Sequence, residues 1–181
     1  MDFLQLAAKR QSTRAYQNTP VPRETLARCL EAARLAPSAH NRQPWKFIVA
    51  DDPAVVERLR TRITNEQISI NTFIQNCPVI VAAVRELRPM AGSQRYSAWS
   101  MDFTPYDLGM AVENLCLAAA DQGLGSCIIG VFEREPVKEI LGIPQEKPLE
   151  LLVALGFPAQ GDPARVKKRL SLEEIVSFNR Y

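Results

Sequence analysis

Ala36-Pro37-Ser38-Ala39-His40-Asn41-Arg42-Gln43-Pro44-Trp45 is the stretch on which the reading of this chain turns. Two prolines pin a polar loop that feeds straight into the apolar run Trp45-Lys46-Phe47-Ile48-Val49-Ala50. Upstream, Leu26, Cys29, Leu30 and Ala33 repeat at helical spacing. Pro22 suits a helix start and Pro37 forbids continuation, so a helix is predicted over residues 22–35. Rigid elements therefore hold the loop on both sides, as a binding loop requires. Ser38, Asn41 and Gln43 have two readings: ligand donors, or side chains that satisfy the loop's own backbone. Trp45 is assigned to the core.

Two basic segments lie far from this loop in sequence. In Lys9-Arg10-Gln11-Ser12-Thr13-Arg14, an extended backbone would put Arg10, Ser12 and Arg14 on one face. Two cations flanking a hydroxyl suit a phosphate, each charge-assisted hydrogen bond contributing about 1.5–3 kcal/mol when partly desolvated. A solvated basic surface, worth far less, is the competing reading. The same choice applies to Lys167-Lys168-Arg169, where an extended arm would place Lys167 and Arg169 together and turn Lys168 away. Pro163 to Arg169 holds four cations and no acid.

The 181 residues are sized for a single domain, 1–181, and 46% apolar with 23% charged residues is ordinary for a globular protein. A net charge of +2 gives no case for nucleic acid. No apolar run is long enough to cross a bilayer, and Met1-Asp2-Phe3-Leu4 lacks the basic start of a secretory signal, so a cytoplasmic location is expected. Cys29, Cys77, Cys116 and Cys127 have no C-x-x-C spacing and sit in apolar segments, as reduced core thiols do. With a single histidine and no paired cysteines, no metal site is expected.

Residues 45–50, 78–84, 126–131 and 149–157 are rich in β-formers and give about four buried strands. A short helix is predicted over 53–61, and 65–76 is ambiguous but helix-leaning. Residues 85–100, with clustered polar residues, Pro89 and Gly92, are expected to form a surface loop. From Pro105 to Asp121 small and apolar residues cover most faces, predicting a helix buried nearly all round, either as the central core helix or at a subunit interface. In Gly123-Leu124-Gly125-Ser126-Cys127-Ile128-Ile129-Gly130 a helix precedes the glycines and a strand follows, the reverse of a dinucleotide fingerprint. A helix cap leading into a strand is the plain reading of the glycines.

Taken together, the basic-x-Ser-x-basic start, the Pro-Ser-x-x-Asn-x-Gln-Pro-Trp loop and the terminal Lys-x-Arg pair resemble the FMN-dependent nitroreductase family over nearly the whole chain. The resemblance implies an α+β fold with a central sheet of four to five strands flanked by helices, and an intertwined homodimer with the flavin site at its interface. Carried over position by position, Arg10, Ser12, Lys167 and Arg169 would hold the FMN phosphate, and Arg14 would lie toward the pyrimidine end of the flavin. Pro37, Ser38, Ala39 and Asn41 would line the flavin from the partner subunit with Gln43 close by. Backbone near Ile128, Ile129 and Gly130 would face its N5. Longer family members carry an Asn and a Lys near the ring from the segment before the second strand. Between Asn65 and Asn76 this chain has no lysine, and Asn71 is the candidate counterpart.

No catalytic triad, carboxylate pair or activated thiol stands out, as expected where a cofactor supplies the reactivity. His40, set among cations, is expected to form a polar wall rather than donate protons. The resemblance thus implies an NAD(P)H-dependent FMN oxidoreductase acting on a small electron-poor acceptor such as a nitroaromatic or quinone. Two alternatives accompany it: same-fold flavin chemistry such as reductive dehalogenation, and a non-catalytic nucleotide or polyanion-binding dimer.

Overall fold

The computed structural model describes residues 2–86 and 101–181. Four strands, β1 (Trp45–Ala50), β2 (Val79–Arg85), β3 (Gly125–Ile129) and β4 (Leu149–Gly156), form one antiparallel sheet in the order β1-β2-β4-β3. β2 and β4 occupy its centre, and β2 alternates between two cores. Val79, Val81 and Ala83 pack on one face, whereas Ile80, Ala82 and Val84 pack on the other. An antiparallel sheet more often leaves one face to water; here the near-continuous apolar run of β2 matches burial on both sides.

The first core lies under α2 (Arg23–Arg34) and α4 (Thr104–Asp121), through Leu26, Cys29, Ala33, Leu108, Leu115 and Ala119. The second lies under α3 (Pro53–Ile63) and α5 (Arg134–Leu141), through Val56, Leu59, Ile63 and Val137. Local chemistry sets the boundaries. Asp52 caps α3 by accepting from the Ala54 and Val55 N–H groups (2.9 and 3.1 Å), with Pro53 in the first turn. α5 stops at Gly142, whose φ of 63° is the left-handed conformation glycine tolerates. Arg85 pairs with Asp102 (3.0 Å) and Glu150 (2.9 Å), tying the end of β2 to the residues that start α4. A short α1 (Phe3–Lys9) begins with a capping box between Asp2 and Gln5, and α6 (Leu172–Ile175) lies near the C-terminus.

The four strands and the helices at 22–35 and 53–61 match the sequence expectations. One reading needs correction and one is met along a single side of its helix. The segment 65–76 forms turns and a single 3₁₀ turn at Thr72–Ile74 rather than a helix, because its side chains capture backbone. The Asn65 side chain accepts from Gln67 and Ile68 N–H (both 2.9 Å), closing an Asx-type turn. α4 is buried along Leu108, Ala111, Val112 and Leu115, but Pro105, Tyr106, Gly109 and Met110 are exposed on the side turned away from the sheet. The predicted surface loop at 85–100 falls, from residue 87 onward, outside the described residues. Among the described residues no helix is long and apolar enough to cross a membrane.

Candidate functional site

Arg10 leaves α1 in an extended conformation, and the arm that follows lies along the free edge of β3. Ser12 bridges Ser126 in parallel fashion, and the Thr13 N–H donates to the Ser126 carbonyl (2.9 Å). This pairing fixes the parity of the arm. Thr13 turns inward and is 2% exposed, while Gln11 turns to the C-terminal segment, donating to the Pro163 carbonyl (3.2 Å) and accepting from the Arg165 N–H (2.8 Å). Gly125 is required by this docking, since a Cβ there would stand 2.7 and 2.8 Å from Thr13 carbon atoms. Of the two glycines read as helix caps, only Gly123, with φ 78° just past α4, serves as one.

Farther on, Tyr16 bridges Pro158, and the Ala159 N–H donates to the Ala15 carbonyl (2.9 Å). The arm is thus held between β3 and the segment after β4, which delivers residues 163–169 to the N-terminal cations. The Lys167 Nζ donates to the Ala7 carbonyl (2.5 Å). Its pKa is lowered, by desolvation first and then by the nearby charges of Arg10 and Arg169, with Glu113 acting in the opposite direction. Arg10, Lys167 and Arg169 therefore form one electrostatic cluster built from both ends of the chain. Lys168 is exposed, and its carbonyl accepts from Arg169 (2.9 Å).

One donor in this cluster is poised and unused. The Arg10 Nε is buried and makes no hydrogen bond among the described residues, although the Glu113 carboxylate stands 3.3 Å from it as an ion-pair partner. Beside the arm, burial raises the Cys127 thiol pKa, opposed first by the Arg14 charge and then by the Ser12 hydroxyl, which locates exposed Arg14 near the same strand. All four cysteines are buried and free; burial pushes Cys29 and Cys116 up to about 11 and Cys77 up to about 12, so none is a reactive thiolate.

The Pro-Ser loop has a different construction. Ala39–Asn41 forms a 3₁₀ turn, and His40, Asn41 and Gln43 all take left-handed backbone (φ 55°, 52° and 47°). Three non-glycine residues in that region mark a backbone held by its surroundings. Ser38 Oγ accepts from the Gln43 N–H (2.9 Å), and the Gln43 amide donates to the Asn41 carbonyl and Asn41 Oδ1 (both 3.2 Å). The Ala39 N–H donates to both carboxylate oxygens of Asp107 (3.1 and 3.2 Å). Asp107 is 2% exposed on α4 and hangs the loop on the core; no sequence pattern signals this contact, which joins residues 68 positions apart. Pro37, His40 and Asn41 are exposed, and Trp45 is core as expected.

At the end of β3, Ile129 points into the second core and is 2% exposed, backbone included. Ile128 and Val131 are exposed, and a Cβ at Gly130 would meet open space. Asn71 is buried beside this strand end, its amide donating to the Ile63 (2.9 Å) and Val131 (2.7 Å) carbonyls. It braces the turn after β3. Among the described residues no group of His, Cys, Asp and Glu is gathered to hold a metal.

An α+β fold that gathers cations from both chain ends and hangs a strained polar loop on α4 is the arrangement of this chain. The chain is a member of the nitroreductase family, whose model matches residues 7–157. It is 33% identical to a protein of Archaeoglobus fulgidus named as an NADH dehydrogenase/NAD(P)H nitroreductase, over 87% of this chain and 86% of that one. It is 31% identical to a Thermus thermophilus NADH dehydrogenase, over 97% and 95%. In three dimensions it is similar to an FMN-dependent nitroreductase of Clostridium difficile, with a TM-score of 0.76, 25% identity and coverage of 99% and 100%.

Proposed function

We propose that this chain is an FMN-dependent oxidoreductase that passes electrons from NAD(P)H to a small electron-poor acceptor, a nitroaromatic or a quinone, and works as a homodimer. The observation that carries the reading is the convergence of Arg10, Lys167 and Arg169 from opposite chain ends around a buried Arg10 Nε that makes no hydrogen bond among the described residues. A phosphate fits this donor set: it would accept from Arg10, Lys167, Arg169 and the Ser12 hydroxyl, offsetting the mutual repulsion of the cations. Bound FMN would supply hydride acceptance at N5 and onward reduction of the acceptor. The protein's part is to hold the cofactor and set its electrostatics. Arg14, whose guanidinium stays protonated at any working pH, would stabilise negative charge gathering at the pyrimidine end. Open space at Gly130 leaves the backbone just past β3 available to a planar ring.

The homodimer reading rests on two features. Asp107 and Glu113, which anchor the Pro-Ser loop and the cation cluster, are six residues apart on α4, about 9 Å along the axis and about 120° around it. The loop of one chain and the cations of the same chain thus face different directions, and a second copy could bring its loop over the first copy's cluster. Exposed Tyr106 and Met110 on α4, with Leu170, Leu172, Ile175 and Phe178 near the C-terminus, offer apolar surface for that contact. The buried free thiols suit a reducing cytoplasm.

The test is the visible spectrum of the purified protein, followed by anaerobic addition of NADH or NADPH. A flavin spectrum that bleaches, then recovers with a quinone or nitroaromatic, is the expected result. A colourless protein that cannot be reconstituted with FMN would overturn the reading, and recovery only with a halogenated phenol would assign reductive dehalogenation instead.

A further inference from the structure

We propose that Glu113 is a built-in counter-ion that competes with the flavin phosphate for the Arg10-Lys167-Arg169 cluster and so sets how tightly FMN is retained; this rests on the flavin reading above. Glu113 projects from the middle of α4, its Oε1 3.3 Å from the Arg10 Nε, and its charge raises the Lys167 pKa against the lowering by Arg10 and Arg169. It thus bears on two of the three cations. The pair is an electrostatic contact without an aligned hydrogen bond, because the Arg10 Nε lacks a hydrogen-bond partner among the described residues. Glu113 therefore offsets the cluster's charge while leaving the buried Arg10 Nε for another acceptor.

The Glu113 side chain is 42% exposed against 25% for Arg10, so the carboxylate can rotate toward water when an anion arrives, whereas the guanidinium stays. A dianion entering the cluster meets this carboxylate as a like charge, and affinity is the attraction of three cations less that repulsion. Glu113 also lowers the repulsion among those cations when no phosphate is present, which stabilises the cofactor-free fold. One residue thus acts with opposite sign on the free and loaded states.

The experiment dilutes flavin-loaded protein and follows free-flavin fluorescence to obtain the dissociation constant for FMN, for wild type, Glu113→Gln and Arg10→Ala, at low and high salt. It is repeated with riboflavin, which lacks the phosphate. The proposal predicts that Glu113→Gln tightens FMN about two- to fivefold at low salt, that high salt shrinks the gain, that riboflavin binding is unchanged, and that the thermal midpoint of the FMN-free variant falls. Unchanged or weaker FMN binding in Glu113→Gln, or an equal gain with riboflavin, would overturn it. Failure of the underlying reading looks different: Arg10→Ala would then leave FMN affinity unchanged, or wild type would bind FMN and riboflavin alike.

Discussion

The N-terminal arm and the Pro-Ser loop are both polar, both rest on α4, and spend their hydrogen-bonding groups in opposite ways. The arm commits its backbone to Ser126 and its inward side chains, Gln11 and Thr13, to neighbouring segments, leaving Arg10, Ser12 and Arg14 on the other side. The loop turns Ser38 and Gln43 back on its own backbone and suspends Ala39 from Asp107. A backbone satisfied by strand-like pairing frees side chains for a ligand. A backbone in left-handed turns needs its side chains to hold its shape, so what it offers outward is mainly a fixed surface.

This contrast can be broken in order of expected effect. Arg10→Ala removes the buried donor, and FMN affinity should fall by about 10- to 100-fold, the equivalent of one charge-assisted hydrogen bond in a partly desolvated site; a flavin titration with an unchanged dissociation constant would equate the arm with ordinary surface. Asp107→Ala should cost about 1–3 kcal/mol in urea unfolding by leaving the Ala39 N–H without its acceptor, while Asp107→Asn, which keeps an acceptor oxygen, should recover much of the loss. If both variants behaved alike, charge rather than the hydrogen bond would be the support. Arg14→Ala, acting from an exposed position, should lower the flavin midpoint potential by about 10–20 mV, measured by dye equilibration with flavin still bound.

The smallest effect is in pH dependence. The folded-state pKa of Lys167 lies below its ordinary 10.5, so just under that pH the unfolded chain binds more protons at this residue than the folded one. Stability from Lys167 should therefore rise with pH through that window, and Lys167→Met should remove the rise. Bound FMN should flatten it too, because a phosphate raises the lysine pKa back. Comparing chemical unfolding of wild type and variant across alkaline pH checks the sign.

Much of this was legible before any coordinates. The alternation of Arg10, Ser12 and Arg14 is a property of extended backbone, and Pro22, Pro37 and Pro53 mark helix boundaries because the ring fixes φ and removes a donor. The segment 65–76 misled because Asn65 closes a local Asx-type turn on Gln67 and Ile68 while Asn71 takes partners outside the segment, Ile63 and Val131, and such bonds outweigh a weak helical preference. Gly125 was misread for a similar reason: its cause is Thr13, 112 residues away in sequence.

Sequence alone determined the elements, the polar loop and the basic segments, since propensity, proline geometry and side-chain period are local properties of the chain. Tertiary structure decided which charges meet. Only the docking of the arm on β3 brings Arg10 to Lys167, and only the pitch of α4 sets Asp107 under the loop and Glu113 beside the cations. Coulomb and hydrogen-bond energies depend on distance through space, and no local pattern encodes the distance between residues a hundred or more positions apart.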